Sequence, residues 1–235
     1  MKDIQSQLDS RRINIKKVGV KEVPYPITVK DKAQKTQHTI ANANLYVNLP
    51  HKFKGTHMSR FVEILNEFHG EITIQSFSSI LQKMKERLDA EASHLELEFP
   101  YFLKSKKNGR SYVANYKCCM HGSLLDEQDL TLTIDVPVTL PFLGEETARL
   151  PGSMGSWGAL KVSVRFRQFY WIEDLVLLIE KGVEKELNSS LQTREKSLSV
   201  ESLSKTVASV LEDVEEIEWF SVTANNFGDD FSTFA

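Results

Sequence analysis

The order in which strand-like and helix-like segments follow one another constrains this chain more than any other feature of its sequence. Apolar residues that alternate with polar ones predict strands over 23–29 and 39–49. Apolar residues three and four positions apart then predict two helices, the first of them ending at Gly70. Two further strands flank the hairpin signal Asn108-Gly109. The first half of the chain therefore predicts the order β-β-α-α-β-β.

The second half repeats this order with a shortened end. Its pattern predicts two strands, two helices and a last strand, over 130–138, 160–166, 172–187, 200–214 and 219–223. Repeated antiparallel units that each include two helices indicate an α+β fold, with both helices of a unit on one face of its sheet. We divide the chain into a polar, loosely held N-terminal segment (1–20), a first half (21–125) and a second half (126–235).

Composition restricts the classes of function. The 235 residues include 29 basic and 32 acidic side chains, which gives a formal net charge of −3. This balance does not favour a nucleic-acid partner. The longest apolar run, 175–179, is too short to cross a bilayer, and the N-terminal residues lack the apolar core of a signal peptide. We therefore expect a cytoplasmic protein with no membrane partner.

The two cysteines are adjacent, at Cys118 and Cys119. Neighbouring side chains of a strand point to opposite faces, so the pair cannot easily bind one metal ion together. A disulfide between adjacent residues is strained, and nothing in the sequence indicates export. We expect both cysteines to be small packing residues.

The segment 54–61, KGTHMSRF, joins the second predicted strand to the first helix. Its lysine, histidine, arginine and hydroxyl groups surround a helix N-terminus, where free backbone N–H groups and the helix dipole favour an anion. A simpler interpretation is a helix cap, in which Thr56 or Ser59 accepts a backbone hydrogen bond and the basic residues are solvated. The residues alone leave both interpretations open.

KGTHMSRF also resembles a motif of the FolE2 family, the type IB GTP cyclohydrolases, whose members have a tandem tunnelling fold. Further segments that are similar to the family lie along most of the chain, at Ile13-Asn14, Val18 to Lys21, Pro26-Ile27, Pro137 to Thr139 and Val200-Glu201. The resemblance implies subunits assembled into a barrel around a tunnel, with a tetramer as the expected homo-oligomer. It implies GTP or a pterin-type molecule as the ligand.

The resemblance also implies a divalent metal such as zinc, but this sequence departs from the family's ligands. Phe142 stands at the position of the family's cysteine ligand, and Met154 stands at that of its histidine. Glu195 matches the glutamate ligand. After Asn226-Phe227 the family's glutamate and histidine pair are missing, and Asp229 and Asp230 there are either an acid or base or, more simply, an exposed tail. We therefore predict no metal cofactor and assign no catalytic residue.

Other family positions are retained. Glu201 matches the glutamate that holds the 2-amino group and ring N–H of guanine, a task that suits the two acceptor oxygens of a carboxylate. Without the resemblance it would be a first-turn acid that the helix dipole favours. Lys54, His57, Ser59 and Arg60 match the phosphate-facing half of a nucleotide site.

Three hypotheses follow from this pattern. The first is a protein that binds GTP or a pterin-type ligand in folate biosynthesis, or catalyses a metal-free step on one, after losing metal-dependent ring opening. The second is a working GTP cyclohydrolase that makes dihydroneopterin triphosphate with substitute metal ligands such as Glu195, His121 or Cys119. The third is a non-catalytic subunit that pairs with an active paralogue.

Overall fold

The protein is described here from a computed structural model, which defines residues 15–50, 57–68, 73–107, 110–139, 156–192, 198–227 and 232–234. Eight strands and four helices follow one another in the order β1-β2-α1-α2-β3-β4-β5-β6-α3-α4-β7-β8 within these ranges. Each strand is hydrogen-bonded to the next strand along the chain. The α+β class that the sequence predicts is confirmed.

The chain forms two compact units. The first contains residues 1–101 and 119–131, and the second contains residues 102–118 and 132–235. Strands β3 and β4 each contribute residues to both units.

The first unit is built from a long antiparallel meander and one helix pair. Its elements are β1 (Ile15–Asp31), β2 (Lys35–Leu49), α1 (Ser59–Asn66), α2 (Ile74–Arg87), the first part of β3 (Ala92–Lys107) and the last part of β4 (Arg110–Leu124). β1 begins at Ile15, opposite Leu49 of β2, so residues 15–20 belong to the sheet. The predicted loose segment over 1–20 is therefore too long at its C-terminal end. Val18, Gly19 and Val20 pair with Val47, Tyr46 and Leu45 of β2.

The core of the first unit follows the strict alternation of a half-buried sheet. Ala43, Leu45 and Val47 of β2 are fully buried, as are Leu95 and Leu97 of β3. Helix α2 packs closely on β4, where a Cβ atom on Gly122 would lie 2.3 Å from the ring of Phe77. The intervening residues of β2 and β3 point to the opposite face of the sheet, which carries polar side chains.

Both helices of the first unit are held by specific polar contacts. Tyr25 of β1 donates its hydroxyl to the carbonyl of Leu65 in α1 over 2.9 Å. Thr73 and Ser76 form a reciprocal capping box at the start of α2. At the other end of α2, Lys83 and Arg87 both pair with the carboxylate of Glu67, which follows α1. These contacts hold α1 on the sheet and hold α1 and α2 together.

The second unit has the same order of elements. It contains the later part of β5 (Gln128–Thr139), whose first residues belong to the first unit. The other elements are β6 (Ser156–Phe166), α3 (Ile172–Gln192), α4 (Val200–Glu212), β7 (Ile217–Asn226) and the short β8 (Ser232–Phe234). β5 pairs antiparallel with β6, β6 with β7, and β7 with β8. Val136 of β5, Val162 of β6 and Val222 of β7 are buried in the core of this unit. No helix in the described part of the chain is long and apolar enough to span a bilayer.

Candidate functional site

The base-recognition candidate Glu201 lies in the first turn of α4. Ser199 is the N-cap of this helix and forms a capping box with Ser202, so the helix start is well defined. Leu203, Val207 and Leu211 form the buried stripe that holds α4 in place. This placement leaves Glu201 on the exposed side of the helix, next to the positive end of its dipole.

Two contacts between α3 and α4 fix the hairpin that presents Glu201. A Cβ atom added to Gly182 of α3 would come within 3.2 Å of the Val207 side chain, so the two helices approach closely there. One turn further along α3, the buried carboxylate of Glu186 accepts a hydrogen bond of 2.7 Å from Thr206. Helix α4 is therefore held firmly against α3, while the Glu201 side chain stays exposed.

Lys205 is a neighbour of Glu201 that the sequence analysis did not single out. Its Nζ lies 2.6 Å from Glu201 Oε1, an i,i+4 ion pair between side chains that are 70% and 66% exposed. The hydrogen bond and the positive charge of Lys205 lower the pKa of Glu201. The i,i+4 spacing of an acid and a lysine is the signal that could have revealed the pair from the sequence.

The phosphate-site candidates of the first unit lie at the start of α1. His57, Ser59 and Arg60 are all exposed. The N-cap position is Met58, and no side chain caps the helix. The expectation that Ser59 is the N-cap is therefore wrong, because Ser59 is already the first residue of the helix. Its alternative, Thr56, lies outside the described residues.

The remaining candidates also fall outside the described ranges. These are Lys54, Phe142, Met154, Glu195, Asp229 and Asp230, together with the predicted helix end at Gly70. The assignments made for them from the sequence stay predictions.

The proposed substitute ligands His121 and Cys119 belong to β4 in the first unit. Both are partly buried. No group of three His, Cys, Asp or Glu side chains within the described ranges has an arrangement that could hold a metal ion. Cys118 is buried, as expected of a packing residue, whereas Cys119 is only partly so.

A polar cluster on the helix-free face of β1 to β3 was not anticipated as a unit. Tyr46 stacks on His94 with ring centroids 4.9 Å apart, and Lys17 lies 3.5 Å from the centroid of the Tyr46 ring. Glu96 accepts hydrogen bonds from Tyr46 Oη (2.9 Å) and Asn44 Nδ2 (3.0 Å). The side chains of the cluster contact one another, and these contacts stabilise the polar face of the sheet.

Solved structures that resemble this chain define its fold. Urate oxidase from Bacillus sp. TB-90 matches with a TM-score of 0.57 at 10% identity over 89% of this chain and 88% of that one. A hyper-thermostable uricase mutant matches with a TM-score of 0.54, also at 10% identity, over 93% and 89%. At this identity the likeness shows the fold alone. The protein has the tandem tunnelling fold that the sequence predicts.

Sequence comparison then identifies the family. The sequence profile described as type I GTP cyclohydrolase FolE2 matches residues 1–228. "GTP cyclohydrolase FolE2" of Syntrophobacter fumaroxidans is 44% identical over 97% of this chain and 94% of its own length. The protein of the same name from Syntrophotalea carbinolica is 42% identical over 97% and 90%. The chain belongs to the FolE2 family.

Proposed function

We propose that this protein binds GTP or a pterin-type ligand through the carboxylate of Glu201 and no longer performs metal-dependent ring opening. The observation that carries the proposal is the exposed carboxylate in the first turn of α4, on a helix that is capped and tightly packed against α3. Two acceptor oxygens in one plane fit the parallel N–H donors of a guanine-like edge. Family membership implies that this ligand belongs to tetrahydrofolate biosynthesis.

The second part of the proposal concerns the phosphate groups. His57, Ser59 and Arg60 surround the start of α1, a helix whose N-terminus no side chain caps. The helix dipole favours an anion at such a place, and Arg60 adds a permanent positive charge. Lys54, three residues before His57, would add another. We assign these four residues to the triphosphate.

The residues of this chain do not fit the family's metal. A phenyl group has no donor atom, so Phe142 cannot replace a cysteine ligand, and Met154 offers a neutral thioether where zinc sites use histidine, cysteine or a carboxylate. Glu195 is the one matching ligand, and one carboxylate does not form a tight site. We derive no catalytic step through a metal.

A working cyclohydrolase is the second candidate, favoured by the names of relatives that are 40–44% identical. It would require substitute ligands, among them Glu195, His121 or Cys119. A third possibility, a non-catalytic subunit, would show itself as co-purification with a second FolE2-like chain. We further propose a homo-oligomer, with the tetramer that the family resemblance implies.

Calorimetric titration of GTP and neopterin into wild type and Glu201→Gln tests the base-recognition half. The variant retains the shape of the side chain but sets an amide donor against a ligand donor, so affinity for both ligands should fall at least about tenfold. Glu212→Gln, at an exposed position at the other end of α4, is the matched control and should bind as the wild type does. If Glu201→Gln binds both ligands as the wild type does, Glu201 is only an acid at the start of α4 and its assignment to base recognition is wrong.

Arg60→Ala tests the phosphate half separately. Loss of this exposed charge should weaken GTP binding, more strongly at low ionic strength, because salt screens the interaction. Neopterin, which lacks phosphates, should bind as before. Equal weakening of both ligands would mean that Arg60 supports the fold of α1 instead of binding phosphate.

A further inference from the structure

The contact between Lys205 and Glu201 has a consequence for which ligands the site accepts. The contact uses one carboxylate oxygen, Oε1, at 2.6 Å. A carboxylate offers about four lone-pair positions over its two oxygens, so Glu201 can still accept two N–H groups from a ligand. An ammonium group has three donors, of which the contact with Glu201 uses one. Both side chains therefore retain unused hydrogen-bonding capacity at the solvent-exposed side of α4.

A guanine-like edge presents three groups in a row: the oxo group at position 6, the ring N–H at position 1 and the amino group at position 2. A carboxylate placed against the two donors brings one of its oxygens close to the oxo group. That approach sets acceptor against acceptor, which is repulsive. A cation that already binds this carboxylate oxygen can relieve the repulsion by donating to the oxo group at the same time.

We propose that Lys205 and Glu201 recognise the oxo–N–H–amino edge as one unit, with Lys205 donating to the oxo group and Glu201 accepting from the two donors. The inference rests on the proposed function and deepens it by naming a residue that determines specificity. An adenine-like edge would place its exocyclic amino donor against the ammonium group and its unprotonated ring nitrogen against the carboxylate. The pair therefore selects 6-oxopurines, and the corresponding 4-oxopterins, over 6-aminopurines.

The support beneath the pair suits such a role. Thr206, the residue after Lys205, is tied to the buried Glu186, and Val207 lies against Gly182. The backbone that carries both side chains is thus held on its inner side, while their charged ends stay exposed. A ligand can meet the pair without a rearrangement of α4.

Titration of GTP and 6-thio-GTP into wild type, Lys205→Met and Lys205→Arg tests the inference. The thio analogue retains both donors and replaces the oxo oxygen with sulfur, a weak acceptor. Lys205→Met should weaken GTP about tenfold and 6-thio-GTP about twofold or less, so that discrimination between the two nucleotides nearly disappears. Lys205→Arg should retain most of the discrimination, because guanidinium also donates. Lys181→Met, an exposed lysine on α3, controls for a general change in charge and should leave both affinities unchanged.

The outcomes separate this inference from the proposed function. If Glu201→Gln weakens GTP but Lys205→Met binds both nucleotides as the wild type does, the role of Lys205 is overturned and the base-recognition proposal stands. If Lys205→Met weakens the two nucleotides equally, Lys205 acts only as a charge and the specificity claim fails. If neither variant changes GTP affinity, or the wild type binds no GTP, both proposals fall. Equal melting temperatures of the variants confirm that the comparison is made between folded proteins.

Discussion

Tyr46 of β2 donates its hydroxyl to Glu96 of β3, with 2.9 Å between Oη and Oε1, although neither residue faces the other directly across the strands. The residue opposite Tyr46 is His94, on which its ring stacks, and the residue opposite Glu96 is Asn44, which supplies the second hydrogen bond. The four side chains thus form a closed set of direct and diagonal cross-strand pairs. Burial and the contact with Glu96 raise the pKa of Tyr46 to about 12, so it remains a donor throughout the physiological range.

Tyr46→Phe should destabilise the protein because it removes one of the two donors to a partly buried carboxylate. We expect a loss on the order of 1–2 kcal/mol, equivalent to a fall in melting temperature of roughly 2–8 °C for a chain of this size. Tyr112→Phe, at a residue that is 43% exposed, is the matched control and should melt close to the wild type. Thermal unfolding followed by circular dichroism makes the comparison, and equal melting of all three proteins would show that the hydroxyl contributes nothing.

The same cluster should make the folded state sensitive to acid. Burial and the neighbouring His121 and Lys17 lower the pKa of His94 below 6.5, so the unfolded chain takes up this proton first as pH falls. Burial of Glu96 opposes its ionisation, but the hydrogen bonds from Asn44 and Tyr46, together with the neighbouring His121 and Lys17, outweigh this effect and lower its pKa as well. Both groups therefore stabilise the fold above their unfolded pKa values. The His94 contribution is lost first, below about pH 6.5, and that of Glu96 below about pH 4.5.

His94→Phe retains a ring for stacking on Tyr46 but cannot be protonated. Its melting temperature should decline less than that of the wild type between pH 7 and pH 5.5, a window in which Glu96 stays ionised in both states. Melting curves at four or five pH values in that window give the two slopes. Parallel slopes would mean that His94 has the same pKa in the folded and unfolded states.

Gly158→Ala should be more destabilising than Gly182→Ala. A Cβ atom at position 158 of β6 would lie 2.1 Å from the carbonyl oxygen of Asn225 in β7, and a backbone atom of a paired strand cannot move aside cheaply. At position 182 the nearest atom is 3.2 Å away and belongs to the Val207 side chain, which can shift slightly. We expect a loss of about 1–3 kcal/mol or more for the strand position and a smaller effect for the helix position. Chemical denaturation of the two variants would contradict this account if the order were reversed.

Purified protein should contain well under one zinc ion per subunit, because Phe142 and Met154 replace two of the three metal ligands that the family resemblance implies. The double variant Phe142→Cys with Met154→His restores the donor types and should bind zinc if the backbone has kept the family's geometry. Elemental analysis after dialysis measures both proteins. A stoichiometric, chelator-resistant metal in the wild type would favour the working enzyme, and a folded double variant without zinc would indicate a different backbone path.

The sequence was informative wherever a pattern depends on the backbone period or on local chemistry. The alternation in β2 and β3 predicted which residues are buried, and the pair Val200-Glu201 predicted an acid at the start of a helix. The start of α1 was less predictable, because a hydroxyl residue near a helix start does not reveal which position becomes the N-cap. The cluster around Tyr46 depends on strand register, which joins residues about fifty positions apart. Periodicity along the chain predicts which face each side chain occupies, but pairings that differ by two residues share that periodicity, so it does not select between them.

Incubation of GTP with a molar excess of this protein, in the presence of zinc or manganese, tests the central claim most directly. The nucleotide that elutes with the protein on gel filtration is released and identified by chromatography. We predict that the protein carries GTP and that this GTP is recovered intact. Recovery of dihydroneopterin triphosphate would show that ring opening is retained, and an absence of bound nucleotide would contradict the assignment of a GTP site.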